Sequence, residues 1–195
     1  MATDSAALQI KIISSPSEEN PFAVVYKPRG LASAPLAPGD DSAFTQAAVL
    51  FPALKEVRGL KSVEGGLLHR IDTLTDGLLL IASDQKSYDF FMTEQKEGRF
   101  VKEYTALCHH SHLLPEGFPS FSDSGISLTL GSEVTIKSCF RPFGRKGACV
   151  RPVVNSLNAG RAALKKAGSR EYFTDILIQK TESPDLFKAR CRITA

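Results

Sequence analysis

The segment His69-Arg70-Ile71-Asp72-Thr73-Leu74-Thr75-Asp76-Gly77-Leu78-Leu79-Leu80 decides how this chain is read. It sets an imidazole, a guanidinium and two carboxylates around a short polar turn with apolar residues on either side. Leu67 to Asp72 reads as a strand, Thr73 to Gly77 as a tight turn, and Leu78 to Ala82 as a second, buried strand. Asp and Thr favour such turns because their side chains hydrogen-bond the nearby backbone. The same carboxylates, held at a sheet edge beside an arginine, stay ionised at neutral pH, as a nucleophile or the stabiliser of an oxocarbenium-like centre must. Paired carboxylates are also how glycosidic bonds are cut. On these residues alone, turn formation and catalysis both remain open.

Working outward, Phe22 to Lys27 is a strand that Lys27-Pro28-Arg29-Gly30 terminates, since a Pro-Gly turn cannot continue a ladder. Leu8 to Ile13 alternates apolar and polar residues and predicts another short strand. Ser42 can cap a helix carrying Phe44, Ala47, Ala48, Phe51 and Leu54, which Pro52 must kink or end. On the other side, Ser83 or Asp84 opens a helix with Tyr88, Phe91, Met92 and Gln95 on one face and Gly98 as its stop. Phe100 to Cys108, Ser127 to Leu130, Glu133 to Phe140, Tyr172 to Thr181 and Leu186 to Ile193 predict strands, the last two joined as a hairpin across Glu182-Ser183-Pro184-Asp185. Strands outnumber helices and several are neighbours in sequence. The expected fold class is α+β, with a mixed, mostly antiparallel sheet and flanking helices.

With 195 residues, 43% hydrophobic and 23% charged, the chain can bury a core without disulfides or structural metals. Its apolar runs fall far short of the roughly 20 residues that span a bilayer, and Met1 to Ala7 lacks the basic and apolar regions of a signal peptide. A cytoplasmic protein without membrane contact is expected. Cys108, Cys139, Cys149 and Cys191 show no C-x-x-C spacing, so reduced thiols are expected. Cys108-His109-His110-Ser111-His112 offers metal-ligand chemistry, but neighbouring strand residues face opposite ways and no second cluster completes a site. No metal or cofactor is expected. Phosphate-loop, dinucleotide-binding, nucleophile-elbow and H-E-x-x-H signatures are missing, which removes those enzyme classes.

Net charge is only +3, but its distribution is uneven. From Val134 to Arg170 there are nine basic residues and no acidic ones, leaving a net −6 elsewhere. Clustered Lys and Arg suit a nucleic-acid backbone through counterion release, and they equally suit a solvated loop. Gly144, Gly147, Gly160 and Gly168 with the steps Arg141-Pro142 and Arg151-Pro152 make this a loop-rich stretch more than a packed helix pair.

The quoted segment closely resembles the H-R-L-D-x-x-T-S-G-L-L-L signature of the RluA-type RNA pseudouridine synthases. Val24-Val25-Tyr26-Lys27-Pro28-Arg29-Gly30-Leu31 resembles that family's V-x-x-K-P-x-G strand and turn, and Val101-Lys102-Glu103-Tyr104 its K-x-Y strand, in the same order. The resemblance runs from about Phe22 to Ile193 and implies a cofactor-free isomerase that detaches the uracil of an RNA uridine, turns it and rejoins it through carbon 5. It implies that Asp72 acts at or near the anomeric carbon, either as nucleophile or as the base of a glycal route. A stacked base is unreachable, so the nucleotide must be extruded, at a cost of about a few kcal/mol. By the same resemblance Arg70 fills or braces the vacated gap, Tyr104 stacks on the uracil and manages the carbon-5 proton, and His69 supports the loop. Lys102, Arg141, Arg145, Lys146 and Arg151 are the expected RNA contacts.

Two departures matter. Asp76 stands where the family usually has Ser, adding a charge that would raise the Asp72 pKa if the carboxylates approach. The strand Leu186 to Ile193 corresponds to one that in the family runs into G-R-x-H-Q-I-R, whose arginine pairs with the catalytic aspartate; here Thr194-Ala195 follows. The expectation is therefore a single catalytic domain over residues 1–195, truncated at its C-terminus, frayed at that edge, and without a separate N-terminal RNA-binding domain. A monomer acting on ribosomal or transfer RNA is expected. The alternative is a catalytically inactive RNA-binding protein of the same fold. A carbohydrate hydrolase using Asp72 and Asp76 is disfavoured by the absence of Trp.

Overall fold

The computed structural model describes residues 8–109, 111, 113, 115–118, 130–153, 161–183 and 185–194. The expected strand Ser127 to Leu130 lies, except for Leu130, outside them, as do His110, His112 and Pro184. Two compact units meet in sequence between Glu94 and Gln95.

In the first unit, β1 (Lys11–Ser14), β2 (Phe22–Lys27) and β3 (Gly77–Ala82) form an antiparallel sheet in the order β1-β2-β3. β1 starts later than the alternation of Leu8 to Ile13 predicts. Gln46 takes up the neighbouring backbone instead, accepting from Ile10 N and donating to Leu8 O. Ala23 faces Ile81 and Val25 faces Leu79, and all of these are fully buried. Each large apolar side chain removed from water in this way stabilises by roughly 1.5–3 kcal/mol.

One face of this sheet packs on α1 (Ala43–Leu50) and α2 (Ala53–Glu56) through Phe44, Ala47, Ala48 and Leu54. Ser42 caps α1 in a reciprocal box, accepting from Thr45 N while Thr45 Oγ1 accepts from Ser42 N. The helix stops at Leu50, and Pro52 starts the short α2. Leu80 and Ala82 of β3 turn the other way, toward Tyr88, Phe91 and Met92 of α3 (Gln85–Lys96). Of the two candidate caps Ser83 and Asp84, it is Asp84 that caps α3, accepting from Ser87 N.

Leu67 to Asp72 is not a strand. Leu67 makes an isolated bridge to Ile81, and the chain from His69 to Asp72 leaves the ladder. The apolar pattern places Leu67 and Leu68 in the two cores on opposite faces, but the backbone of Ile71 bonds a side chain rather than a neighbouring strand.

In the second unit, β4 (Val101–His109), β5 (Glu133–Phe143), β6 (Cys149–Val153), β7 (Tyr172–Lys180) and β8 (Leu186–Thr194) form an antiparallel sheet in the order β4-β8-β7-β5-β6. Here β8 is no frayed edge: Thr194 pairs with both Val101 and Phe173, because the strand is central in the sheet. The basic segment is also more ordered than its prolines suggest. Arg141-Pro142 and Arg151-Pro152 face each other across the β5–β6 hairpin, where β6 is an edge strand that tolerates proline. A short helix, α4 (Arg161–Lys166), follows within the same segment.

Candidate active site

The turn after Asp72 is built from strand alternation. Ala23, Val25 and Lys27 occupy every second position of β2 and point into the core, so the last of them buries an ammonium group. Lys27 is 0% exposed, and its cross-strand neighbour is Gly77, which has no side chain to compete for the space. Burial makes an unpaired charge very costly, and Lys27 Nζ answers with bonds to the carbonyls of Leu31 (2.8 Å), Pro28 (3.2 Å) and Thr73 (3.3 Å). Desolvation pushes its pKa down, and the charges of Asp76 and Asp72 pull it back up. Lys27 thus joins the Lys27-Pro28-Arg29-Gly30 turn to the loop after Asp72. Gly30 N reinforces the link with a 2.7 Å bond to the same Thr73 carbonyl.

The residue before Asp72 is held as firmly. Ser33 is 5% exposed, and its hydroxyl donates to Ile71 O at 2.6 Å and accepts from Ile71 N at 3.1 Å. Thr75 N closes the turn on the Asp72 carbonyl at 2.9 Å. Asp72 is exposed between these anchors, and its carboxylate makes no hydrogen bond or ion pair among the described residues. The backbone is held on both sides while the carboxylate is left uncommitted.

Asp76 is occupied elsewhere. Tyr26 OH donates to its Oδ2 at 2.6 Å. That bond, with help from its own backbone N–H and from Arg29 and Lys27, holds the Asp76 carboxyl below the usual range, while the Tyr26 hydroxyl is pushed up. The anticipated coupling between Asp76 and Asp72 thus meets a competing partner for Asp76. His69 accepts from Leu80 N through Nε2 at 3.3 Å, which ties the start of the loop to β3. Arg70 bonds Glu64 at 3.1 Å.

In the second unit, Lys102 and Tyr104 lie on β4, opposite Ile193 and Cys191 of β8, and share one half-buried face. Burial and, less strongly, the Arg170 charge lower the Lys102 pKa. Of the basic hairpin, Arg145 and Lys146 are exposed in the tight turn at its tip, where Lys146 adopts φ 55°. Arg141 and Arg151 are engaged within the fold. Both guanidinium groups stack on Phe143, at 5.0 and 5.1 Å from the ring centre, and Arg151 also covers Phe118 at 4.7 Å. They donate to the carbonyls of Gly117 and Glu116 and so fasten the 115–118 turn to the hairpin. His109 lies 2.9 Å from the Asp185 carbonyl through Nδ1.

The sequence segment singles out Asp72, Arg70 and His69. It does not reveal the supports Ser33, Tyr26 and Glu64, nor a task for Lys27, although Lys27 stands in a quoted motif. Their partners are 46, 38 and 50 residues away for Lys27, Ser33 and Tyr26, so the signal available was a lysine at an inward strand position.

The first unit thus displays an exposed carboxylate on a doubly anchored loop, within a chain of α+β class. The chain belongs to the RNA pseudouridylate synthase family, whose pattern matches residues 21–179. It is 29% identical over 117 residues to the Uncharacterized RNA pseudouridine synthase YlyB of Bacillus subtilis, covering 60% of this chain and 36% of that protein. Over 93 residues it is 30% identical to Ribosomal large subunit pseudouridine synthase D of Buchnera aphidicola, covering 47% of this chain and 28% of the relative. A 68-residue stretch, 35% of the chain, is 37% identical to 1% of a MATH and LRR domain-containing protein of Plasmodium falciparum. The chain thus spans about a third or less of these relatives' lengths. Human RNA Pseudouridylate Synthase Domain Containing 1 shares the fold at TM-score 0.59 and 17% identity, covering all of this chain and 63% of that one. No helix among the described residues is long and apolar enough to cross a membrane.

Proposed function

We propose that this chain is a pseudouridine synthase catalytic domain that isomerises a uridine in structured RNA, ribosomal or transfer. The observation that carries this reading is the uncommitted, exposed Asp72 carboxylate between the anchored residues Ile71 and Thr73. The extruded nucleotide meets Asp72 at or near its anomeric carbon, as a covalent nucleophile on that carbon or as the base that takes the neighbouring C2′ proton in a glycal route. The bond from N1 to the sugar breaks, the uracil turns, and a bond from carbon 5 to the sugar forms. The carbon-5 proton leaves and N1 gains one, so the isomerisation consumes no co-reactant.

In this reading Arg70 occupies the gap in the stack, His69 braces the loop, and Tyr104 stacks on the base and handles the carbon-5 proton. Lys102 and the exposed pair Arg145 and Lys146 grip the flanking phosphates. Arg141 and Arg151 hold the hairpin in shape through Phe143 and Phe118.

The test is tritium release from transcripts of ribosomal and transfer RNA labelled at uridine carbon 5. The parent chain releases tritium, and Asp72→Asn loses the release by on the order of 10⁴ while still retaining RNA on a filter. Unchanged turnover by Asp72→Asn overturns the assignment of Asp72. RNA retention by the parent without any release selects a non-catalytic RNA-binding protein instead.

A further inference from the structure

Glu64 is a carboxylate that the reading above leaves without a task. Its side chain is 9% exposed, yet it faces two cations that are largely in solvent: Arg70 at 3.1 Å and Lys61 at 3.5 Å, with side chains 58% and 61% exposed. The asymmetry has a direction. A nearly buried anion is the fixed member of such a set, and an exposed guanidinium is the member whose position is chosen.

The backbone under Glu64 allows little movement. Glu64 N bonds Lys61 O at 3.0 Å, and Leu67 N returns to Glu64 O at 3.0 Å. Gly65 has φ +45°, and a Cβ there would strike the Leu54 carbonyl and the Phe44 ring. At Gly66 a Cβ would run into the carbonyl of Ala82, the residue whose own N–H bonds Gly66 O at 2.8 Å. The Glu64-Gly65-Gly66 segment is therefore locked between α1, α2 and the end of β3, and the carboxylate is carried on a rigid base. Bonding to Glu64 occupies one corner of the planar Arg70 fork and leaves its other N–H donors free to turn outward, two residues before Asp72.

We propose that Glu64 is a positioning residue for Arg70: it presents the guanidinium in a set orientation to the RNA that Asp72 acts on. This inference rests on the pseudouridine synthase reading. Without Glu64, Arg70 samples many rotamers, and their ordering must be supplied during RNA binding. Lys61 shares the same carboxylate oxygen, so the three side chains carry a net +1 with or without RNA, and a variant that keeps the Glu64 charge isolates its directional role.

The experiment compares the parent, Glu64→Gln, Glu64→Asp, Arg70→Ala and the Glu64→Gln/Arg70→Ala double variant. Each is read by single-turnover tritium release from the carbon-5-labelled transcripts and by thermal midpoint. Glu64→Asp keeps the charge but shortens the reach, so it separates orientation from electrostatics and serves if Glu64→Gln fails to fold. Both Glu64 variants are expected to lower the rate about tenfold, the value of one charge-assisted hydrogen bond. In the Arg70→Ala background the Glu64→Gln change costs nothing further. Parent-like rates in the folded Glu64 variants, or losses that multiply with that of Arg70→Ala, overturn the positioning role alone. A parent chain that binds the transcripts and releases no tritium overturns the functional reading and the positioning role together.

Discussion

Ser33 Oγ satisfies both backbone groups of Ile71, donating to its carbonyl at 2.6 Å and accepting from its N–H at 3.1 Å, across 38 residues of sequence. A hydroxyl is both donor and acceptor, so a single side chain replaces the two ladder bonds that a strand at Ile71 would make. Ile71 is thereby fixed outside the sheet, and Asp72 is displayed rather than paired.

Ser33→Ala removes both bonds and leaves the part-buried Ile71 polar groups without that partner. A loss of about 1–3 kcal/mol is expected in urea unfolding, with a larger proportional fall in turnover than in RNA affinity. Equal falls in both would mean that Ser33 supports the fold without supporting the loop.

Lys27→Met keeps the length of the side chain and deletes its ammonium. The carbonyls of Leu31, Pro28 and Thr73 then lose their shared donor; Thr73 retains another through Gly30 N and Pro28 a longer one through Leu31 N. About 3 kcal/mol of destabilisation is expected, with amide exchange accelerating at Gly30 and Thr75. Lys27→Arg is also destabilising, because the larger head must enter a packed space.

The contact between Tyr26 and Asp76 gives stability a pH window. Asp76 has a depressed folded pKa, so its share is present above the ordinary carboxylate range and disappears as pH falls through the lowered value. Tyr26 has a raised folded pKa, so its share is complete below about pH 10 and disappears as pH climbs through the raised value. Tyr26→Phe should narrow the difference between neutral and extreme pH in a series of thermal midpoints. Parallel curves for parent and variant would refute the contact's contribution.

The basic hairpin divides into two roles that salt titration separates. Arg145→Ala with Lys146→Ala should reduce the slope of log affinity for RNA against log salt by about 1.5, with the thermal midpoint unchanged. Arg141→Ala or Arg151→Ala should instead lower the midpoint, since each loses its stacking on Phe143 and a bond to the 115–118 turn. A midpoint lowered by the tip variants, or untouched by Arg151→Ala, would reverse these assignments.

Elements whose stabilisation is local were legible in the sequence. The Ser42 and Asp84 caps, the alternation of Phe22 to Lys27 and the hairpin from Tyr172 to Thr194 all depend on partners close in the chain or on one-sided burial. The segment from Leu67 to Asp72 was misread as a strand because its apolar pattern reports burial, whereas the backbone partner of Ile71 is a distant hydroxyl. The strand β6 is not legible in the loop-rich basic segment, because no sequence pattern says that it is an edge strand, where a proline's missing N–H costs little.

By itself the sequence determined the family, the α+β class and the position of Asp72, since all three are written in the order of short motifs. Only the tertiary structure decided that Lys27 is a buried anchor, that Tyr26 engages Asp76, and that Arg70 is bound to Glu64. Each of those depends on a polar group that must find a partner once water is excluded, and the partner is chosen by chain packing rather than by neighbours in sequence.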